Sequence, residues 1–269
     1  NGGDEMTRQI GVVANSAYKK VPGVGPRAVK VGNAAIYALS EIGTELAVGQ
    51  LAMLKVRVKF GAAQKEIEKA FNVAAERLGL PREEIEELGV PSYGLEEVGL
   101  RRETFGDAQA ELRVDGRDVA LHWTNNGKPV KSVPAKVKAD HKDDLKELQS
   151  AVKDIAAMLP AQSERLDAMF LLQKRWPVDQ WRARYLDHPL VGTLARRLIW
   201  TDGAQAFVHH NDRLVDAQDR EVVLASEAQV TLWHPIDRPT DEVLTWRDWF
   251  TRHEIRQPFK QAHREVYLL

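Results

Sequence analysis

Ala108-Gln109-Ala110-Glu111-Leu112-Arg113-Val114-Asp115-Gly116-Arg117-Asp118-Val119-Ala120-Leu121-His122-Trp123-Thr124-Asn125-Asn126-Gly127-Lys128-Pro129-Val130 is where the periodicity of this 269-residue chain changes. Apolar residues occupy alternate positions at Ala110, Leu112 and Val114, again at Val119, Leu121 and Trp123, and then at Val130. Turn residues interrupt them at Asp115-Gly116 and Asn125-Asn126-Gly127. Successive side chains of a strand point to opposite faces, and Asp-Gly and Asn-Gly are strong hairpin formers. The stretch therefore predicts a β-meander, with one face packed on helices and the other toward water.

Upstream, the spacing is helical. Ile10, Val13, Ala14 and Ala17 form one apolar stripe, Ala35, Ile36, Leu39 and Ile42 a second, and Ile67, Ala70, Phe71, Ala74 and Leu78 a third. Gly79 closes a helix, and Pro81 with Glu83 and Glu84 opens the next with fixed φ and negative charge. Antiparallel pairs of this kind predict a HEAT-like layer, without a countable repeat. The periodicity breaks at Val90-Pro91-Ser92-Tyr93-Gly94.

Downstream of the meander, a long helix is expected from about His141 to Lys174, with Phe170 and Leu171 on its apolar face and Pro160 kinking or dividing it. Shorter helices are expected from Trp176-Pro177 through Tyr185 and over Val191–Trp200. Short strands follow at Ala206–Val208, Glu221–Leu224 and Gln229–Leu232, then helices at Thr240–His253 and Pro258–Arg264. The expected fold class is α+β and mostly helical, with a helical part over residues 1–100 and an α+β region over 101–269. The final Val266-Tyr267-Leu268-Leu269 reads as strand, and with no initial methionine the chain reads as an excised piece.

Composition narrows the function classes. Apolar residues make up 43% of the chain, enough for a sizeable core, and the net charge of -1 supplies no global field to collect nucleic acid or anionic lipid. Such binding would need a local patch. Cysteine is absent, which removes disulfides, thiol nucleophiles and cysteine-ligated zinc and suits a cytoplasmic location. No run reaches the roughly 18 to 20 apolar residues of a membrane span, so no membrane partner is expected.

Arg175-Trp176-Pro177 through Trp181, Tyr185-Leu186-Asp187-His188-Pro189-Leu190, Leu194-Ala195-Arg196-Arg197-Leu198-Ile199-Trp200 and Trp233-His234-Pro235 stand in a fixed order, followed by Trp246, Gln257-Pro258-Phe259-Lys260-Gln261 and Arg264-Glu265-Val266-Tyr267. In this the chain resembles the molybdate-metabolism-regulator-like (MolR-like) family, whose defining region is domain of unknown function 4132. Val21-Pro22-Gly23-Val24-Gly25-Pro26, Gly127-Lys128 and Lys131-Ser132-Val133-Pro134 are similar to stretches that precede that region. The resemblance implies a bacterial regulatory protein that continues past Tyr267, and it carries over no catalytic residue.

Three constellations are candidates for function. Val21 to Lys30 is similar to the hairpin of a helix-hairpin-helix motif, in which the amides of Gly23 and Gly25 would cradle a phosphate at a helix N-terminus while Lys19, Lys20, Arg27 and Lys30 supply charge. A tight connection between two helices would need the same glycines and prolines for backbone reasons. His188, His209, His210 and His234, with Asp212, could ligate zinc or supply a base, but no metal-binding spacing links them, and adjacent strand residues face opposite ways. His188 and His234, each before a proline, suit capping, and no metal or cofactor is expected.

The third is the tryptophan-arginine group Trp176, Trp181, Arg196, Arg197, Trp200 and Trp246, with Arg182, Arg184, Arg247 and Trp249 nearby. Interleaved indoles and guanidinium groups make either a partner-binding surface or a core covered by arginine. The Glu83, Glu84, Glu86 and Glu87 run reads as a solvated helix face. The expected function is a non-catalytic scaffold that holds a protein partner on its tryptophans. A nucleic-acid-binding hairpin is the alternative, and an enzyme using His188, His234 or Arg196 the third reading.

Overall fold

The computed structural model describes residues 2–172, 174–236 and 238–265, apart from the side chains of Glu83, Phe170 and Leu171. The strand expected at Val266–Leu269 lies outside the described residues. The fold is α+β and mostly helical, in two compact units, Asn1–Tyr93 and Gly94–Leu269.

The first unit runs α1 (Gly2–Ala17), β1 (Lys20–Val21), β2 (Gly25–Pro26), α2 (Val29–Ile42), α3 (Glu45–Arg57), α4 (Gly61–Leu78) and α5 (Arg82–Leu88). Gly43 and Gly79 end α2 and α4 in the left-handed conformation that glycine adopts without penalty, and the Thr44 hydroxyl caps α3 by accepting from the Ala47 amide at 3.3 Å. The three expected stripes converge on one core that includes Ala14, Ile36, Leu39, Leu51, Ile67 and Phe71, except that Val13 and Leu78 are exposed. Gly32 lets α2 lie on the Tyr18 ring, since a β-carbon there would come within 2.5 Å of it. Burial, reinforced by Glu66, pushes the Tyr18 hydroxyl up to about 12.

The acidic run is not a wholly solvated face. Glu87 is only 4% exposed, and Glu86 joins Glu68 in holding Lys55 and Arg82 at 2.6 to 3.1 Å. The Arg82 guanidinium lies 4.3 Å from the Phe71 ring. Burial disfavours charge on Glu68, but the bonds from Lys55 and Arg82 outweigh it and hold the carboxyl below its ordinary range.

The second unit opens with a four-stranded antiparallel meander, β3 (Leu100–Phe105), β4 (Ala108–Asp115), β5 (Asp118–Asn125) and β6 (Lys128–Val130). Ala108, Ala110, Leu112 and Val114 of β4 are buried and the residues between them face outward, as alternation demands. Next come α6 (Ala135–Asp140) and α7 (Lys142–Leu172), which passes through Pro160 undivided. A second antiparallel sheet, in the order β10-β9-β8-β11-β7, is built from β7 (Trp176–Pro177), β8 (Trp200–Thr201), β9 (Ala206–His210), β10 (Arg213–Val215) and β11 (Gln229–Leu232). Between β7 and β8 lie α8 (Val178–Trp181), a π-helical turn (Arg182–Leu186) and α9 (Gly192–Ala195), and α10 (Thr240–Arg252) follows β11.

Four expectations are corrected here. The helix predicted over Val191–Trp200 shrinks to Gly192–Ala195, because Trp200 pairs with Phe207 and Leu232 in the sheet. The helix from Trp176-Pro177 is preceded by a strand and ends in the π turn, where the Asp187 amide reaches back to the Arg182 carbonyl at 2.8 Å. Glu221–Leu224 makes a single bridge, Val215 to Glu221, instead of a strand. Pro258–Arg264 is not helical, and side chains hold it in place of a backbone ladder.

Candidate functional site

The first candidate, the Gly23-Gly25 hairpin, is assembled as a unit. β1 and β2 pair Lys20 with Pro26 and Val21 with Gly25, between α1 and α2. Gly23 and Gly25 take φ of 77° and 104°, conformations that L-residues rarely adopt. Val24 between them is 79% exposed, and Lys19, Lys20, Arg27 and Lys30 all face solvent. Two features extend the sequence reading. From Met6 to Ser40 there is no Asp or Glu, whereas Arg8 and those four basic residues fall inside the window. Also, α2 begins with no capping side chain and no acid in its first turn, and with Lys30 near its positive dipole end. One feature departs from it. Because α2 starts at Val29, the glycines stand on the hairpin, three residues short of the helix.

The tryptophan group is interior. Trp176, Trp181, Trp200, Trp233, Trp246 and Trp249 are each at most 1% exposed. Trp181 meets Trp200 at 5.5 Å and Phe207 at 5.7 Å in edge-on geometry, and Trp176 meets Tyr185 at 4.9 Å. These rings are the core of the second unit, and a partner surface made of them is not what the structure presents. Arg196 lies half-buried over that core, donating to the Leu186 carbonyl at 2.9 Å and pairing with Asp187 at 3.7 Å.

The histidines hold local structure. Nδ1 of His188 accepts from the amides of Leu190 and Val191, both at 3.1 Å, and Nδ1 of His234 accepts from Ile236 at 3.0 Å, so each caps the turn after its His-Pro pair. His209 and His210 are successive residues of β9. Burial, then the Arg196 charge, pushes His209 down to about 4, against the opposing pull of Asp212 and Asp187. His210 meets Trp249 edge-on and His253 at a tilt, and Asp219 accepts from Trp249 Nε1 at 2.7 Å while lying 3.0 Å from His253 Nε2. Among the described residues, no group of three or more acidic or histidine side chains is arranged to hold a metal.

A third site was not read from the sequence. An open cavity of about 940 Å³ lies in the second unit between the β4–β5 turn, Arg197, the end of α10 and the segment after it. Its far wall is the Gln257–Lys260 stretch, fixed by two glutamines. Gln261, fully buried, donates to the carbonyls of Ile199 and Trp233 at 2.7 and 2.9 Å and accepts from the Ile199 amide at 2.8 Å. Gln257 donates to Gln261 at 2.9 Å and accepts from the Ala262 amide at 3.0 Å. Ser163 adds a bond to the Pro258 carbonyl at 3.1 Å. The near wall is tied down by Arg197, which is ion-paired to Asp115 and lies close over Gly116. Its parts stood in the sequence as the Asp115-Gly116 turn, Arg197 and the Gln-Pro-Phe-Lys-Gln run, with nothing to join them.

No described helix is long and apolar enough to cross a membrane. Residues 127–269 match the family model for the domain of unknown function DUF4132. The curated "Uncharacterized protein YehI" of Escherichia coli (strain K12) is 26% identical over 246 residues, which covers 86% of this chain and 20% of that protein, so the chain spans about a fifth of that relative's length. No solved structure matches the chain. With more than half of its length, including the aromatic sheet, inside the matched region, the chain belongs to the DUF4132 family.

Proposed function

We propose that this chain is a non-catalytic interaction region of a larger bacterial regulatory protein acting in the cytoplasm, and that it engages nucleic acid through the Gly23-Gly25 hairpin. The observation that carries the reading is the solvent-facing set Lys19, Lys20, Arg27 and Lys30 around a two-glycine turn, inside a stretch with no carboxylate from Met6 to Ser40. Cations grouped without acids bind phosphate backbones by releasing counterions, and the exposed glycine turn lets such a backbone approach closely. The uncapped start of α2 adds a dipole of the right sign. Resemblance to molybdate-metabolism regulators supports the regulatory assignment.

Fluorescence anisotropy of labelled duplex and single-stranded DNA over a salt series tests this. Affinity should fall steeply with salt, and the Lys20→Ala/Arg27→Ala pair should lower the slope of log K against log salt by about 2. Absence of binding at low salt, or binding indifferent to salt, refutes it.

A second reading, a protein-binding scaffold, is favoured by one other observation. Along α2, Val31 and Tyr37 are 50% and 66% exposed with Ala34 exposed between them, an apolar stripe opposite the buried face of a HEAT-like helical layer. Its site is this stripe in place of the tryptophans. An enzyme built on His188, His234 or Arg196 gains no support, since each side chain is occupied in holding local backbone.

A further inference from the structure

We propose that the cavity behind the β4–β5 turn binds an organic phosphate: a phosphomonoester carrying an apolar or planar body.

The charge of the lining is the first reason. Arg117, Arg197, Arg256 and Lys260 line the cavity, and among the described residues the only carboxylates lining it are Asp115 and Asp118. The surplus of two positive charges matches a phosphomonoester dianion, in a chain whose overall charge is -1. Arg197 is spent on Asp115, whereas Arg117, Arg256 and Lys260 have no ion-pair partner among the described residues. Gathering like charges costs self-repulsion, and an anion relieves it. Of the two carboxylates, which face each other across the turn as strand partners, Asp115 is neutralised by Arg197.

The second reason is the apolar part of the lining. Phe250, Ile255 and Phe259 line the cavity among the cations, so an apolar body can be buried where an anionic head is held. His263 lines it as well. Burial, with Arg247 and Lys260 nearby, holds its imidazole below the ordinary range, so at neutral pH it offers a hydrogen bond to the ligand and no further charge.

The third reason is pre-organisation. An irregular segment ordinarily moves, but here Gln257, Gln261 and Ser163 fix its backbone and Arg197 fixes the facing turn. A backbone already fixed on both sides removes the cost of ordering a loop on binding and leaves only that of the exposed side chains. Nucleic-acid binding at the first unit's hairpin requires none of this.

Isothermal titration of the full chain with adenosine 5′-monophosphate, adenosine and inorganic phosphate at low salt tests the proposal. The expected result is binding of the monophosphate at least about tenfold tighter than either fragment, and a further loss of about tenfold or more in Arg117→Ala/Arg256→Ala/Lys260→Ala. All three side chains are exposed, so an unchanged melting transition is expected and confirms that the variant is folded. The hairpin pair Lys20→Ala/Arg27→Ala should leave this binding intact. The proposal is overturned by no binding of the monophosphate, by adenosine or phosphate binding as well as the monophosphate, by full affinity in the folded triple variant, or by loss of binding in the hairpin pair.

Discussion

The side-chain amide of Gln261 and the backbone of Ile199 exchange two hydrogen bonds, Nε2 to the Ile199 carbonyl at 2.7 Å and the Ile199 amide to Oε1 at 2.8 Å. A neighbouring strand would satisfy Ile199 in the same way. The Ile199 carbonyl accepts from the Trp233 amide at 3.1 Å as well, so Gln261 completes the sheet where the β8–β11 ladder runs out. Removing it strands polar groups in a fully buried place, and each unsatisfied group costs roughly 1–3 kcal/mol. Gln261→Ala should therefore lower unfolding free energy by about 3 kcal/mol, and Gln261→Glu, which loses the donor and buries a charge, by at least as much. Urea unfolding followed by tryptophan fluorescence reads both, and a Gln261→Ala loss below about 1 kcal/mol would contradict the account.

Asp219 gives a second test. It holds the indole of fully buried Trp249 at 2.7 Å from a backbone φ of 61°, a conformation that asparagine tolerates better than alanine. Asp219→Asn keeps an acceptor and the turn, whereas Asp219→Ala loses both. The alanine variant should be the less stable of the two by about 1–2 kcal/mol in the same urea experiment. Equal stabilities would mean that the indole bond contributes little.

Acid should weaken the second unit before it reaches the carboxylates. His209 is held neutral, with its pKa pushed from 6.5 to about 4 by burial and Arg196. Since the unfolded chain binds a proton there more readily, the stabilisation is complete above about pH 6.5 and is lost as pH falls from 6.5 toward 4. His210 and His263 are shifted in the same direction, first by burial. Comparing urea midpoints at pH 7.5 and 5.0, His209→Gln should lose less stability than the parent chain on acidification. An identical drop would remove His209 from the explanation.

In the first unit, Gly32→Ala should be destabilising even though alanine is the better helix former. The β-carbon would enter the Tyr18 ring at 2.5 Å, and overpacking of this kind costs typically 1–3 kcal/mol, more than the helix gain of about 1 kcal/mol. A thermal melt followed by circular dichroism decides the sign, and an increase in midpoint would show that the α1–α2 contact can slide.

The sequence was most legible where one local rule governs. Asp115-Gly116 and Asn126-Gly127 set the meander, and Gly79 marks a helix end that the structure keeps. Leu100–Phe105 went unread as a strand because its middle is Arg101, Arg102, Glu103 and Thr104, held by cross-strand charge such as Arg102 to Glu111 at 3.3 Å in place of apolar alternation. The helix expected over Pro258–Arg264 fails for the opposite reason. The amides of Gln257 and Gln261 turn inward to bond backbone distant in sequence. The hairpin cations lie within twelve consecutive residues and were visible. The cavity joins residues 115–118, 197 and 250–263, and no local pattern announces such an assembly.

Pro177 occupies one of the two residues of β7, the outermost strand on its side of the aromatic sheet. A proline has no N–H to offer, so a strand from another molecule arriving at this edge finds half the donors it needs. The same residue that opens α8 thus leaves this edge of a tryptophan-rich sheet short of a donor for pairing with a further strand.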